Sequence, residues 1–491
     1  MSKFKVAFGT LGCKVNQYET EAIKELFLKH ETGIFSLAGE DSGDADVFII
    51  NTCTVTNLSD RKSRQMIRRA IKENPGAVVC VMGCYSQTSP EEVGAIEGVD
   101  IIAGTKDRKV VLEKVLEKLL EKMLGRTHEE DIVKAENDGV LNNDYEWKFE
   151  KLEISNSDEK TRAFVKIQDG CENFCAYCKI PIARGPIRSR PLNDVLDEVA
   201  RLENAGYKEI VLTGIHLASY GKDLGEGQDL ITVIKALGEM DGEVASERSD
   251  ASGASGAERI ARIRLGSVEP TTLTASFIEA VASQPKCCTH FHVSLQSGCD
   301  RTLARMLRKY SSAQYLDSIL RLRARLPEVS VTTDIIVGFP GETDADFEES
   351  YEFVKRIGFA NVHVFKFSPR KGTLAAGMAD QISAEIKETR SQKMIALAKE
   401  MSIQFNQKMV ARSWTVLVEQ PDNAKMLEGH SSNYVKFYFP VPEGSAHEVS
   451  SATKRLAYRH ISGDGFKGKL VEVFAESANE MGIFGTLKGE F

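Results

Sequence analysis

No stretch of this chain reaches the roughly 18 uninterrupted apolar residues of a membrane-crossing helix. Its longest apolar runs are strand-sized, such as Val47 to Ile50 and Val78 to Met82. Proline is scarce, 13 in 491 residues, and with 42% hydrophobic residues the composition excludes collagen-like, mucin-like and wholly disordered chains. The ten cysteines are too few for a disulfide scaffold. Most of them fall in short clusters or just after strand patterns, which points to reduced thiols acting as metal ligands. No large charge excess exists either. The net charge is −8, and residues 125–160 alone hold 5 basic and 11 acidic groups, a local −6, so the remainder is nearly neutral and can carry local basic faces. The start, MSKFKVAFGTLGC, has the lysines and Leu-Gly-Cys of a lipoprotein signal in outline. Its apolar stretch is too short for one and runs into domain-like sequence, so the expectation is a cytoplasmic protein with no membrane partner.

At 491 residues the chain exceeds the roughly 250 to 300 at which a single core stops growing, so two or three domains are expected. Over 1–124, strand-like runs (KVAFGT, DVFIIN, AVVCVM, VDIIAG) alternate with helical stretches, the pattern of a parallel α/β sheet domain. Residues 125–160 are acidic, Asn-rich and aperiodic, an expected linker or irregular wrap. Over 161–400, six strand candidates (AFVKIQ, KEIVLT, RIRLGS, HFHVSL, VSVTTDIIV, NVHVFKFS) alternate with helical segments, which predicts a partial (β/α)6 barrel. Residues 242–259 read as a disordered Ser/Gly/Ala-rich insertion within it. After a helix near Ile382 to Val410, residues 405–491 carry short strand-like runs divided by Gly, Pro and Ser, which fits a small antiparallel β-barrel.

The strongest chemical signal is DGCENFCAYCKIP, where Cys171, Cys175 and Cys178 are spaced C-x3-C-x2-C just after the first strand of the second domain. A structural zinc site takes four protein ligands, whereas a cubic iron–sulfur cluster held by three thiolates leaves one iron open to an external ligand. A zinc knuckle completed by a distant His is the competing reading. A second group is assembled from separated positions: Cys13, Cys53 and Cys84 each lie just past a predicted strand of the first domain. In a parallel sheet such strand ends share one edge, so three thiols 70 residues apart in sequence can converge on a second cluster. Cys80 lies inside a strand and reads as packing, and Cys287, Cys288 and Cys299 as structural.

With Tyr177 before its last cysteine, the first trio resembles the radical S-adenosylmethionine superfamily, whose members cleave that cofactor reductively to a 5′-deoxyadenosyl radical. Barrel enzymes carry reactive groups at the carboxyl ends of strands, and small polar loops follow each predicted strand here. Among them, Gly214, His216, Ser267, Glu269 and Gln296 are the candidate cofactor contacts, with turn chemistry as the plain alternative. The superfamily's usual Gly-Gly-Glu after the second strand is replaced by Thr213 to His216. The order of domains, together with GCKVNQYET, NTCTVTNLSDRKSRQ, GCYSQ, RLGSVEP, SLQSG, DIIVGFPGET and FSPRKGT, resembles the methylthiotransferase family and its MtaB-type branch.

The resemblance implies two [4Fe-4S] clusters, one on Cys171, Cys175 and Cys178 and one on Cys13, Cys53 and Cys84, with S-adenosylmethionine as radical source and methyl donor. It also implies conversion of N6-threonylcarbamoyladenosine at tRNA position 37 to its 2-methylthio derivative, an anticodon stem-loop partner, an electron donor such as flavodoxin or ferredoxin, and a TRAM-like RNA-binding tail. Alternatives in substrate class are isopentenyladenosine in tRNA and a ribosomal protein side chain; the alternative in kind is a metal-bearing RNA-binding module with no activity. Independent support for RNA comes from Arg61 to Lys72, six basic and no acidic residues, whose plain reading is a solvated helix face. Arg184, Arg188, Arg190, Arg370 and Lys371 are expected to add charge to the barrel loops.

Overall fold

The computed structural model describes residues 3–40, 43–106, 108–124, 147–155, 161–225, 227–247, 260–419, 426–441 and 465–490. The N-terminal lobe is a parallel sheet in the order β2-β1-β3-β4-β5, made of β1 (Phe4–Thr10), β2 (Phe35–Leu37), β3 (Val47–Thr52), β4 (Val78–Gly83) and β5 (Ile101–Ile102). Its strands β3 and β4 are buried along their whole length because both faces are covered. Val47 and Ile49 join the core shared with α1 (Lys14–Leu28), while Phe48 and Ile50 pack on the other side with Ile67 and Ala70 of α2 (Asn57–Glu73). Cys80 is fully buried in the first of these cores.

The central lobe has six strands running parallel in chain order: β6 (Ala163–Asp169), β8 (Glu209–Gly214), β9 (Arg262–Leu265), β10 (His290–His292), β11 (Ser330–Val337) and β12 (Asn361–Lys366). A short β7 (Arg188–Ser189) pairs antiparallel with β6. Between β9 and β10 the sheet continues through single bridges, Ile263 to Cys287 and Val268 to Val293. Among the described residues β12 pairs only with β11, so the barrel is open on one side. The helix after β8 runs Leu230–Glu247, which takes in the first six residues of the expected insertion; 248–259 lie outside the described residues. Of the expected linker, 147–155 are described and form an irregular strap. Trp147 stacks under Lys106 and Arg188, and the Ile154 N–H donates to Glu198.

A helix spanning Ala384–Gln407 leads to a closed five-stranded barrel in the order β13-β14-β15-β17-β16, with strands Ser413–Val418, Met426–Ser431, Lys436–Pro440, Leu470–Asn479 and Gly482–Glu490. Its inward side chains, among them Val416, Leu427, Phe437, Val471 and Ile483, make a separate core. One pair, β15 with β17, runs parallel. The turn Ser431 to Tyr434 enters the amino-terminal mouth of the central barrel. Tyr434 stacks on His430, faces His290 and lies under Arg162 and Arg264, while Arg262 and Arg264 donate to carbonyls of Thr415, His430, Ser431 and Ser432. No helix among the described residues is long and apolar enough to cross a membrane.

The two larger lobes share one continuous core, and a buried charge network crosses it. Glu19 of α1 accepts from Arg184 (2.8 Å) and Lys166 (2.7 Å) and pairs with Arg108 (2.9 Å). Asp169 at the end of β6 accepts from Lys166 (2.6 Å) and Arg184 (3.1 Å) and pairs with Arg188 (3.3 Å). Burial opposes ionisation of Glu19, but Arg108, Arg184 and Lys166 outweigh it and hold its carboxyl at about 2. Glu19→Gln removes the carboxylate that three buried cations share, leaving Lys166 and Arg184 to Asp169 and Arg108 to Glu150, and is expected to cost about 3 kcal/mol in denaturant unfolding, the low end for a broken buried pair. Because the folded value lies below the ordinary ~4.3 of the unfolded chain, this stabilisation is complete above about pH 4.3 and is lost as pH falls toward 2. The variant should show a flatter acid limb than the wild type in that window.

Candidate active site

Cys13, Cys53 and Cys84 stand just past β1, β3 and β4, three adjacent strands, at their carboxyl ends. Cys13 caps α1 and is exposed, whereas Cys53 and Cys84 are buried, the latter opening the short helix α3 (Cys84–Thr88). Gly83 makes the turn from β4 into α3 possible. Its φ is 103°, and a Cβ there would come within 2.4 Å of Asn51 Oδ1. The three thiols lie close enough to influence one another's charge, and Cys53 Cβ would sit 3.1 Å from a Cβ placed on Gly12. Burial pushes the Cys84 thiol up to about 12 and raises Cys53 as well.

Cys171, Cys175 and Cys178 occupy the loop after β6. Gly170, φ 73°, turns the chain so tightly against Pro186 that a Cβ would come within 1.7 Å of its carbonyl oxygen. The Cys171 N–H donates to Gly185 O, the Cys178 N–H to Cys175 O and the Ala176 N–H to Met306 O, each at 2.9 to 3.0 Å. Tyr177 packs edge-on against Phe339. Arg308 donates to Cys175 Sγ at 3.3 Å, and burial pushes the Cys178 thiol up to about 12 and raises that of Cys171. Both donor sets fit a thiophilic metal centre: all six cysteines are free of disulfides, and at Cys53, Cys84, Cys171 and Cys178 a bound cation would displace protons that burial otherwise retains.

Of the candidate cofactor contacts, His216 and Glu269 are brought together beside Cys171, Cys175 and Cys178. His216 Nε2 lies 3.1 Å from Glu269 Oε2 and 3.1 Å from Asn173 Nδ2, and Asn173 also donates to Glu269 Oε1 at 3.3 Å. Arg308 pairs with the same carboxylate at 2.8 Å. Burial again opposes ionisation, but His216 and Arg308 hold Glu269 at about 2. Gly214 lets β8 end against Gln168, whose Oε1 accepts the His216 N–H at 2.7 Å. Ser267 is exposed two residues before Glu269, outside this hydrogen-bonded set. Gln296 is buried at φ 70° and bridges to Ile335 between β10 and β11, also outside it. Asn173 and Arg308 were not expected from sequence. Asn173 sits between two cysteines of the motif, a signal that was present, while Arg308 lies on no motif.

The expected basic rim is a different object. Arg184, Arg188, Arg190 and Arg370 are buried, because each meets acidic or polar partners inside the fold: Arg184 and Arg188 meet Asp169, Arg190 meets Glu198, and Arg370 meets Asp60, Asn57 and Thr54 Oγ1. Only Lys371 of that set is exposed. On α2, Arg64 turns to Tyr85 and Glu92 and Arg69 to Glu73, which leaves Arg61, Lys62, Arg68 and Lys72 exposed without ion pairs among the described residues.

The two trios are joined through Arg184. Beyond Asp169, two residues before Cys171, it donates to Asn16 Oδ1 at 2.8 Å. Asn16 accepts from Cys13 Sγ at 3.5 Å and donates to Thr52 O at 2.9 Å, next to Cys53. Arg184 also closes the helix Ile180–Arg184, which packs against α3, and it favours charge on Cys84.

Residues 165–354 match the radical SAM superfamily, and residues 5–104 match the uncharacterized protein family UPF0004. The chain is 42% identical over 438 residues to the threonylcarbamoyladenosine tRNA methylthiotransferase MtaB of Bacillus subtilis, covering 88% of this chain and 90% of that one. It is 34% identical to the MtaB of Thermotoga maritima, with 88% and 91% covered, and 32% identical to the tRNA-2-methylthio-N(6)-dimethylallyladenosine synthase of Akkermansia muciniphila, with 87% and 91% covered. Among solved structures, the radical S-adenosylmethionine methyltransferase TsrM from Kitasatospora setae, with cobalamin and a [4Fe-4S] cluster bound, superposes with TM-score 0.51 at 14% identity over 74% of this chain and 75% of that one, a likeness of fold. With sequence identity of this order sustained over most of both chains, this protein belongs to the radical S-adenosylmethionine methylthiotransferase family.

Proposed function

We propose that this protein is a tRNA methylthiotransferase that converts N6-threonylcarbamoyladenosine at position 37 to its 2-methylthio derivative. The observation that carries the reading is the pair of cysteine trios, one from each lobe, held by a single buried guanidinium. Cys171, Cys175 and Cys178 would hold one [4Fe-4S] cluster, and Cys13, Cys53 and Cys84 the other. When bound, the first cluster with S-adenosylmethionine supplies one-electron cleavage strong enough for an unactivated ring C–H, and the second supplies a place for sulfur.

The chain's own residues position and shield. Arg308 offsets charge at Cys175, while Glu269, His216 and Asn173 present an acceptor, a ring nitrogen and an amide where the polar end of the cofactor would lie. The packing of Ile180–Arg184 on α3 keeps water from between the lobes. Among the described groups, the C-terminal barrel closes the amino-terminal mouth of the central barrel, so substrate enters at the carboxyl ends of the strands. An anticodon loop suits that entry because its bases are already unstacked. A flavodoxin or ferredoxin in the cytoplasm would supply the electron.

Nucleoside mass spectrometry of tRNA from a strain lacking the gene should show threonylcarbamoyladenosine without its methylthio group. Persistence of the methylthio form, with loss from the dimethylallyl nucleoside instead, would refute the substrate. Cys175→Ala should abolish S-adenosylmethionine cleavage, whereas Cys53→Ala should retain cleavage and stop sulfur insertion; equal residual cleavage in both would contradict the assigned roles. The four exposed cations of α2 would contribute about 3 to the log–log salt slope of tRNA binding. Replacing Arg61, Lys62, Arg68 and Lys72 by Gln should reduce the slope by that amount in a binding titration, and an unchanged slope would place the RNA elsewhere.

A further inference from the structure

Barrel strands turn alternate side chains toward the covering helices and toward the interior, and on β11 and β12 the two sides differ in kind. Val331, Ile335 and Val362 join the core with Ile319, Val354 and Leu397 of the outer helices. The opposite side is less covered. Along β11, Thr332, Asp334 and Ile336 are half-buried while the residues between them are buried, and on β12 His363 is exposed. Ile336 packs with Ala176, Met306 and Phe339 at the cysteine loop after β6, which identifies this side as the barrel interior. Asp334 comes two residues earlier on the same strand, about 7 Å deeper along the wall.

Strand register gathers three ligand-type side chains there. β11 and β12 pair in parallel with Asp334 beside His363, and β10 and β11 with His292 beside Thr332. Paired residues share a face, so His292, Asp334 and His363 converge, and one ligand-type atom from each lies within 4.8 Å of the others. His292 Nε2 is 3.3 Å from Asp334 Oδ2, and the His292 and His363 rings are 5.9 Å apart. The other nitrogen of His292 is held as well. Thr332 Oγ1 is 3.0 Å from His292 Nδ1 and 3.0 Å from His290 Nε2, and a hydroxyl oxygen with two lone pairs can accept an N–H from each ring. His292 so oriented turns a bare Nε2 toward a carboxylate oxygen, and two acceptors in contact need a shared cation.

We propose that His292, Asp334 and His363 bind one divalent transition-metal ion inside the central barrel, apart from both cysteine trios. Two imidazoles and one carboxylate are the donors of zinc and non-haem ferrous sites, not of magnesium or calcium, which take oxygen alone. Bonds of about 2.0 to 2.1 Å in a tetrahedral site put ligand atoms about 3.3 to 3.4 Å apart, the spacing already present between His292 and Asp334. The third corner asks the exposed His363 to approach by about 1.5 Å at most. Thr332 supplies the outer hydrogen bond that fixes the tautomer of a metal-bound imidazole. Three protein ligands leave a position open, and it faces the interior below the cysteine loop. The competing bridge is a proton on His292, which would pair it with Asp334 and give His363 no part.

The test uses the enzyme with both clusters loaded, so that their cysteines are occupied, and Zn2+ as the probe. After equilibration with Zn2+ and desalting, elemental analysis should find one zinc per chain with no loss of iron. His363→Ala and Asp334→Asn should lose the zinc and keep their iron, which also shows that they are folded. In competition with a zinc-binding dye, Thr332→Val, with all three ligands intact, should bind about 10- to 100-fold more weakly. Zinc gained only as iron is lost would place the ion on cysteines and overturn the proposal. So would a wild type that retains no zinc, or His363→Ala retaining as much as wild type, the result expected of a proton-bridged pair.

Discussion

The placement of the two cysteine trios relative to each other depends on one buried guanidinium. Arg184 spends its donors on Glu19 and Asn16 from the N-terminal lobe and on Asp169 from the central barrel, and those three are each within three residues in sequence of a turn or helix start that carries a cysteine or, for Glu19, one turn further along the helix that Cys13 caps. Such a network is weak evidence for stability, because removing charges from water costs several kcal/mol per ion before they attract one another. What it does provide is geometry. Any sliding of one lobe on the other would break several charge-assisted hydrogen bonds at once in a medium that offers no replacement. The network therefore acts on function through register: it holds the Cys53 and Cys84 turns at a fixed place relative to the Cys171 turn.

A second constraint acts at the other end of the barrel. Open (β/α) barrels have two mouths, and the turn carrying Tyr434 fills the amino-terminal one with aromatic surface clamped by Arg162 and Arg264. Ser330 Oγ donates to Asn433 O there as well. The C-terminal barrel is thus built into the central lobe, on the mouth remote from the cysteines. RNA bound by that barrel and a base held between the trios would lie at opposite ends of the central lobe, so a shared substrate would have to span it.

The fold was legible in the sequence where periodicity carries the information. Buried parallel strands read as continuous apolar runs, and glycine followed by cysteine marked the strand ends that needed a tight turn. Met426–Ser431 carries no sequence signal, because a strand of a small barrel with Gly429 and His430 in it shows no apolar run. That the six cysteines gather in two groups was legible because motif spacing and strand-end position are local facts. Arg184, Arg188, Arg190 and Arg370 were misread as a basic rim because charge is local but burial is not. Their partners, such as Glu19 for Arg184 and Asp60 for Arg370, lie 165 and 310 residues away in sequence. Arg308 was invisible for the same reason, since its meaning comes from Cys175 and Glu269.

Those two arginines give the site a symmetry that no motif shows. Each cysteine trio is faced by one buried guanidinium: Arg184 acts on Cys53 and Cys84, and Arg308 on Cys171, Cys175 and Cys178. Arginine stays charged at any pH of interest, so each supplies a fixed positive charge where three thiolates would gather negative charge. Hydrogen bonds and charge near cluster sulfur are among the factors that set a cluster's reduction potential. The guanidiniums differ in what they are tied to. Arg308 shares its charge with Glu269, so whatever binds at Glu269 alters the field at Cys175 directly. Arg184 is held by the lobe-to-lobe network, with Glu19 and Asp169 each meeting three cations, so its charge beside Cys84 is fixed by the fold.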